Sequence, residues 1–458
     1  MNGTDRLAER SFLLHGIGVT NAAAARALTA RGRTVELSDD GDPATASALA
    51  AALGAALHLA PDTETLAALV GGVDAVLPAP GLPEAHVLFG LAAAAGRPVL
   101  SEFDLADAWD DRPVLAVTGT NGKTTVTTLV EAMLVCSGRR TEAVGNLEVP
   151  LVAAIADPGP EVFVVEASSF RLAHSRRFRP RVATWLNFAE DHLDVHRTLD
   201  DYRRAKARIW ADQADGDTAV ANAEDPVVRA AADAIDPGRG VTVVRYGLAP
   251  VVDGVRTAYH QEGGALVGPG GLELVDVDEL WRALPHDRSN ALAAAATALA
   301  GGATVEGVRA ALREFRGLPH RVELVGERDG VRYYDDSKAT APHATLAALE
   351  GFTSVVLVAG GRNKGLDLGA LGVARERVAA VVGIGEAGPD VVRAFPDRPG
   401  RVSASMAEAV RSAAELARPG DVVLLSPGCA SFDWYGSYAE RGDDFAAQVR
   451  AQVLGEAS

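Results

Sequence analysis

The chain has 458 residues, 48% of them hydrophobic and 23% charged, and carries a net charge of −17. That length allows about two to four domains, each burying its own core. The acidic balance argues against a nucleic-acid partner, since binding a phosphate backbone needs a basic face, but local lysines and arginines can still hold a small phosphate ligand. Two cysteines, Cys136 and Cys429, stand far apart in sequence. This argues against a disulfide framework or a structural zinc site and fits a reducing cytoplasm. The N-terminal segment lacks a signal layout, and the Ala-rich stretch Ala291 to Ala300 is too short to span a bilayer. A cytoplasmic protein without membrane insertion is expected.

From Ser11 to Gly96, short apolar runs alternate with helical spacing. Strands are expected at Phe12–Gly16, Thr34–Leu37, Ala75–Leu77 and Val99–Leu100, and helices at Asn21–Ala30 and Glu84–Ala95. Such alternation means a parallel sheet with crossover helices. The turn Gly16-Ile17-Gly18-Val19-Thr20-Asn21 has two of the three glycines of a dinucleotide fingerprint, with Asn21 in the third place. Asp39 closes the second strand, where ribose contacts often sit. A plain tight turn and a solvated Asp39-Asp40 pair are the rival readings.

A second unit opens near Asp111. The apolar run Val114–Val117 reads as a buried strand, and Val126 to Cys136 has helical spacing. Between them lies Thr118-Gly119-Thr120-Asn121-Gly122-Lys123-Thr124-Thr125, a phosphate loop of the short form G-x-x-G-K-T. Its glycines let backbone N–H groups approach phosphate oxygens, and the helix N-terminus adds positive potential. Lys123 can reach the β- and γ-phosphates, and the Thr124 hydroxyl can ligate Mg²⁺. The strand Val162–Glu166 ends on a carboxylate, the usual place for one that organises Mg²⁺; a satisfied buried acid is the alternative. The strand Val182–Leu186 runs into Asn187-Phe188-Ala189-Glu190-Asp191-His192. A zinc site at His192 is disfavoured, with no cysteine near it. Lys206 lies on an expected helix, Tyr202 to Trp210, where a lone lysine is ordinarily a surface residue. Asp236-Pro237-Gly238 and Gly268 to Gly271 read as surface turns.

The third unit begins near Leu318-Pro319-His320-Arg321. Strands are expected at Val331–Tyr334, Val355–Ala359, Val378–Ile384 and Val422–Leu425. Three polar clusters follow three of them: Asp335 to Thr340, Gly360 to Gly365 and Ser426 to Asp433. Polar groups at strand C-termini are where open α/β sheets hold ligands. The fold class is therefore α/β in three domains, each a mainly parallel sheet with flanking helices, at 1–110, 111–317 and 318–458.

Taken together, Gly119–Thr125, Glu166–Phe170, Asn187–His192, Lys206, Leu284–Asn290, Leu318–Arg321, Asp336–Thr340, Gly360–Gly365 and Ser426–Asp433 resemble the Mur ligases, ATP-dependent amino-acid ligases of peptidoglycan precursor synthesis. The resemblance implies a Rossmann-like N-terminal domain for a UDP-linked substrate, a central P-loop ATPase domain and a Rossmann-like C-terminal domain for the amino acid. It implies ATP, two Mg²⁺ ions, small-molecule substrates and a monomer. The combination Glu-Ala-Ser-Ser-Phe, Asp-Ser-Lys-Ala-Thr and Ser-Pro-Gly-Cys-Ala-Ser-Phe-Asp looks most like family members that add D-glutamate to UDP-N-acetylmuramoyl-L-alanine through an acyl phosphate. L-Glutamate or another acceptor is the alternative.

Carried over by motif, Gly119, Thr120, Asn121, Gly122, Lys123, Thr124 and Thr125 hold the phosphates, and Asn290, Arg321 and Asp336 hold adenine, phosphate and ribose. Thr124, Glu166, His192 and Lys206 match the metal positions, Lys206 as a carbamate. Lys123, His192, Lys206 and Lys338 match the reacting centre. Thr20, Asp39, Asn146 and His192 match contacts to the muramoyl nucleotide, and Thr340, Lys364, Ser431 and Tyr438 match contacts to glutamate. Ala341, Asn21 and Glu148 depart from residues usual in the family. A dehydrogenase built on the first turn would leave the phosphate loop unexplained. A nucleotide-hydrolysing switch would not need the cations of the third unit.

Overall fold

The computed structural model describes residues 5–41 and 44–455. The first sheet has four parallel strands in the order Ala56–Leu59, Thr34–Asp39, Ser11–His15, Ala75–Pro78. Phe12, Leu13 and Leu14 are fully buried in succession, as a strand covered on both faces requires. The second sheet has six parallel strands in the order Thr242–Tyr246, Thr218–Asn222, Val182–Trp185, Val114–Thr118, Val162–Glu166, Thr141–Gly145. The third has the order Glu323–Arg328, Val331–Asp335, Val422–Leu425, Val355–Gly360, Val378–Ile384, Gly400–Val402. Its first pairing is antiparallel and the rest are parallel. An antiparallel sheet of His260–Glu262, Ala265–Gly268 and Leu272–Asp276 and a short hairpin complete the strands described. The three-sheet α/β architecture is thus the expected one.

The chain divides into two compact units. One comprises Met1–Leu280 with Ser289–Glu314 and holds the first two sheets; the other comprises Trp281–Arg288 with Phe315–Ser458 and holds the third. In the first unit, Phe12, Leu14, Ala116, Phe163, Val165 and Trp185 belong to one continuous core. In the second, the sheet is buried on both faces: Val355, Leu357 and Leu424 face one core, and Val356, Val358 and Val423 the other.

Several expected elements shift. Val99–Leu100 is a single bridge to Val76 rather than a strand; Pro98, which has no N–H, precedes it and contributes only its carbonyl to Val76. The helix expected from Glu84 starts at Val87, where His86 caps it by accepting from Leu88 N. The helix expected from Tyr202 starts at Leu199, because Thr198 accepts from Asp201 N, and it ends in a 3-10 turn at Arg208–Trp210. The strand Ala56–Leu59 and the helices Ala44–Leu53 and Thr63–Gly72 were not foreseen. The strand is a half-exposed edge with no apolar run. No helix among the described residues is long and apolar enough to cross a membrane.

Candidate active site

The strand Val114–Thr118 lies between Val162–Glu166 and Val182–Trp185, all parallel, so their C-terminal ends open together. The phosphate loop leaves the first of them. Gly122 caps the helix Lys123–Cys136 at φ +82°, a left-handed conformation that glycine adopts without cost. A Cβ there would also stand 2.6 Å from Asn290 Oδ1, and one at Gly119 would meet Leu186 Cβ at 2.9 Å. Asn290 is thereby set against the loop.

Asn187, at the end of the neighbouring strand, fixes the loop. Its Oδ1 accepts from Thr120 N at 3.0 Å and Asn121 N at 2.8 Å, and its Nδ2 donates to Asn121 O at 3.2 Å. Two lysines converge on one loop carbonyl. Lys123 Nζ donates to Gly119 O at 2.9 Å and to Thr120 O at 3.0 Å, and Lys206 Nζ donates to the same Gly119 O at 2.7 Å. Lys206 is not the surface residue that its sequence context alone would give: it is buried, with Nζ 4.5 Å above the Tyr202 ring. Burial first, and the Lys123 charge second, hold its pKa well below the usual lysine range. Both causes favour the neutral amine over the ammonium.

Glu166 is also buried. Its Oε1 accepts from Asn146 Nδ2 at 2.9 Å, while its buried Oε2 has no hydrogen-bond partner among the described residues. An orphaned carboxylate oxygen beside a phosphate loop is the donor that a hard cation needs. His192, at φ +57°, sets its ring edge-on to Phe170 at 4.7 Å. Burial pushes its pKa down to about 4, leaving the neutral imidazole that metal ligation requires. Glu166 and His192 therefore fit Mg²⁺ in chemistry, Lys206 only once its nitrogen carries an anionic group, and Thr124, second in the helix Lys123–Cys136, brings a hydroxyl of the kind that ligates Mg²⁺.

At the first sheet, Asn21 does what the missing glycine would not. Its buried Nδ2 donates to the carbonyls of His15, Gly16 and Leu77 and so closes the turn. Asp39 braces the same turn, with Oδ2 accepting from Ile17 N at 2.6 Å and Oδ1 from Gly41 N at 2.9 Å. Thr20 accepts from Arg171 Nη2 at 2.9 Å. Sequence reasoning passed over Arg171 and Asn187 as site residues, and also the cluster of His15, Asp40 and His86 at the mouth of this sheet. The available signals were an arginine inside the apolar Phe170-Arg171-Leu172 and a histidine ending a buried strand.

In the second unit, the clusters after Val331–Asp335, Val422–Leu425 and Val355–Gly360 meet, since these three strands are neighbours. Asp336 Oδ2 accepts from Ser426 Oγ at 2.7 Å, and burial pushes the Asp336 carboxyl up to about 7. Arg441, another residue unforeseen, is buried and clamps two loops: Nε donates to Ser337 Oγ, Nη2 to Ser337 O and Nη1 to Cys429 O, all within 3.0 Å. Lys338 Nζ sits 3.6 Å above the Tyr438 ring. Arg362 bridges to Ala430, which joins the loop bearing Lys364 to the loop bearing Ser431. Thr340 is half-buried, Ser431 buried and Lys364 exposed. Arg321 follows His320, whose Nδ1 bonds Asp335 Oδ2 at 2.7 Å. Of the residues expected in this unit, the structure sets Lys338 against Tyr438 and joins the loops that carry Lys364 and Ser431.

Residues 117–298 match the family model for the Mur ligase middle domain, and residues 320–429 that for the Mur ligase glutamate ligase domain. The class is that of the ATP-dependent ligases. A UDP-N-acetylmuramoylalanine--D-glutamate ligase of Desulfosudis oleivorans is 43% identical over 98% of this chain and 97% of its own length. A protein of the same name from Frankia casuarinae is 44% identical over 96% and 94%. Among solved structures, UDP-N-acetylmuramate-alanine ligase of Thermotoga maritima shares the fold, with a TM-score of 0.56 at 21% identity, covering 96% of this chain and 99% of that one. A pseudomurein peptide ligase of Methanothermus fervidus shares it at a TM-score of 0.59 and 19% identity, covering 92% and 97%. The chain belongs to the Mur ligase family.

Proposed function

We propose that this protein is an ATP-dependent ligase that adds D-glutamate to UDP-N-acetylmuramoyl-L-alanine, a cytoplasmic step in making peptidoglycan precursors. The substrates follow the names of relatives that match over nearly their whole length. One observation carries the chemistry: two lysine nitrogens share the Gly119 carbonyl at the mouth of a phosphate loop, and one of them is fully buried. Two adjacent ammonium groups repel, so the buried amine of Lys206 loses its proton and is free to capture carbon dioxide as a carbamate. The carbamate keeps one N–H for Gly119 O and adds two oxygens.

In the proposed reaction, a carboxylate oxygen of the muramoyl-alanine attacks the γ-phosphorus of ATP, and ADP leaves. The amine of glutamate then attacks the acyl carbon. Collapse of the tetrahedral intermediate expels phosphate and leaves the amide, with the amine proton released. Lys123 and the loop N–H groups of Gly119 to Thr125 bind the phosphates, and positioning with charge neutralisation carries most of the acceleration. Thr124, Glu166, His192 and the Lys206 carbamate would hold Mg²⁺, in two sites, and bound ions neutralise the phosphate oxygens. Asn290, Arg321 and Asp336 are the proposed adenosine and phosphate contacts. Thr20, Asp39, Asn146 and His192 face the muramoyl nucleotide. Lys338 neutralises the reacting phosphate, and Thr340, Lys364, Ser431 and Tyr438 bind glutamate. The domains run 1–110, 111–317 and 318–458, and the protein acts as a monomer.

A phosphate-release screen tests this reading. Purified protein with ATP and Mg²⁺ is crossed with UDP-N-acetylmuramoyl-L-alanine and related nucleotides against D-Glu, L-Glu, D-Asp and L-Ala. Release that requires the muramoyl-alanine nucleotide and is fastest with D-Glu is expected. Preference for L-Glu keeps the mechanism and replaces the substrate; release without any amino acid removes the ligase reading.

A further inference from the structure

Arg171 is a buried guanidinium on the helix Ser169–His174. Three partners surround it. Nη2 donates to Thr20 Oγ1 at 2.9 Å, Nη1 donates to Asn146 Oδ1 at 2.8 Å, and Nε lies 3.2 Å from Oε1 of Glu102. Glu102 is buried as well, and its Oε2 accepts from Val152 N at 2.9 Å. The contacts continue beyond Asn146, whose Nδ2 donates to Glu166 Oε1 at 2.9 Å. A single connected set thus joins the Gly-x-Gly turn of the first sheet to the carboxylate beside the phosphate loop.

An arginine has donors and no acceptor, which fixes the polarity at both ends of this set. Because Arg171 donates to Asn146, the carboxamide must place its oxygen toward Arg171 and its NH₂ toward Glu166. That NH₂ engages Oε1 and leaves Oε2 for a cation. Because Arg171 also donates to Thr20, the threonine oxygen accepts, and its own hydroxyl proton is directed elsewhere as a donor. A donor in the first turn of the helix Val19–Ala30 suits an anionic oxygen such as that of a diphosphate. We propose that Arg171, held by Glu102, is a positioning residue that makes the Thr20 hydroxyl a donor for the substrate's diphosphate and, through Asn146, keeps Glu166 Oε2 directed at the metal. This role rests on the ligase reading given above.

A structural role alone would show in stability, so the test separates stability from binding. The full-length Glu102→Gln/Arg171→Met double variant removes both charges of a buried pair, a change that is often close to neutral for folding. Melting temperature is read first. Binding of UDP-N-acetylmuramoyl-L-alanine without ATP or metal is then measured by calorimetry, and Mn²⁺ alone is titrated by electron paramagnetic resonance. The variant is expected to melt near the parent, to bind the nucleotide roughly 10–100-fold more weakly and to bind Mn²⁺ about tenfold more weakly, as loss of outer-shell partners does. Arg171→Lys keeps the charge without the fork and should also melt near the parent but not bind the nucleotide with parent affinity. Parent-like binding of both probes by the double variant, or full recovery of both by Arg171→Lys, overturns the proposal. If the double variant does not fold, Asn146→Ala and Thr20→Val decide it: the first should weaken Mn²⁺ and the second should weaken the nucleotide with Mn²⁺ unchanged, and parent-like Mn²⁺ binding in the first or parent-like nucleotide binding in the second would overturn it. If the parent itself does not bind the nucleotide, the ligase reading fails, and the Mn²⁺ arm still decides the link to Glu166.

Discussion

The loop cluster at the second sheet and the loop cluster at the third sheet handle charge in opposite ways. At the second sheet the charged groups are buried and incompletely neutralised. Lys206 is driven toward its neutral form, and Glu166 keeps one oxygen without a hydrogen-bond partner among the described residues. Such a site is organised around charge that arrives with a ligand, and in a water-poor setting each preset dipole acts strongly on that charge. At the third sheet the loops are already satisfied by one another. Arg441 and Ser426 tie them together, while Lys364 faces solvent. On the proposed function, the difference matches two tasks: stabilising charge that develops during phosphoryl transfer, and capturing a small diffusing acid with a rigid but open set of groups.

The sharpest way to break that contrast is at Lys206. Lys206→Ala should lower turnover by roughly 10²–10³-fold, with partial recovery on adding a small carboxylate such as formate. Protein discharged of carbamate and assayed in carbon dioxide-stripped buffer should be equally poor and recover with bicarbonate; full activity there would leave Lys206 as an unmodified lysine. Lys123→Ala follows, at about 10²-fold, near 3 kcal/mol of transition-state stabilisation. Its circular dichroism should match the parent, and near-normal turnover would remove the phosphate clamp.

At the third sheet the effects should be smaller. Lys364 is exposed, so its pairing with a substrate carboxylate is screened by water. Lys364→Ala should raise KM for glutamate by about tenfold while KM for ATP stays within about twofold. Equal rises in both would show that Lys364 does not discriminate between the two ligands. The smallest effect concerns Asp336, whose carboxyl titrates near 7 in the folded chain against 3.8 ordinarily. Between those values the folded state holds a proton that the unfolded state has released. Stability is therefore full below pH 4 and falls as pH rises toward 7. Relative to the parent, Asp336→Asn should remove a decline of a few degrees in melting temperature across that window. An unchanged slope would mean that Asp336 is ionised within the fold.

The sequence by itself determined the parallel α/β sheets, the phosphate loop and the three loop clusters of the C-terminal sheet. These are local facts: Val162–Glu166, Val378–Ile384 and Val422–Leu425 are apolar runs whose ends follow from burial on both faces, and a Gly-rich turn before Lys-Thr has a chemical meaning wherever it falls. Edge elements such as Ala56–Leu59 stayed hidden, because half-exposed strands carry no continuous apolar signal. Tertiary structure alone decided which polar residues are buried and what each one faces. Lys206 reads as a surface lysine on an amphipathic helix until Gly119 and Tyr202 enclose it. Asn21 reads as a missing glycine until three carbonyls converge on its amide. Arg171 joins Thr20, Asn146 and Glu102 across sequence separations of 151, 25 and 69 residues, the last being 171 less 102. Burial and hydrogen-bond polarity depend on partners brought together from distant parts of the chain, and no local pattern encodes them.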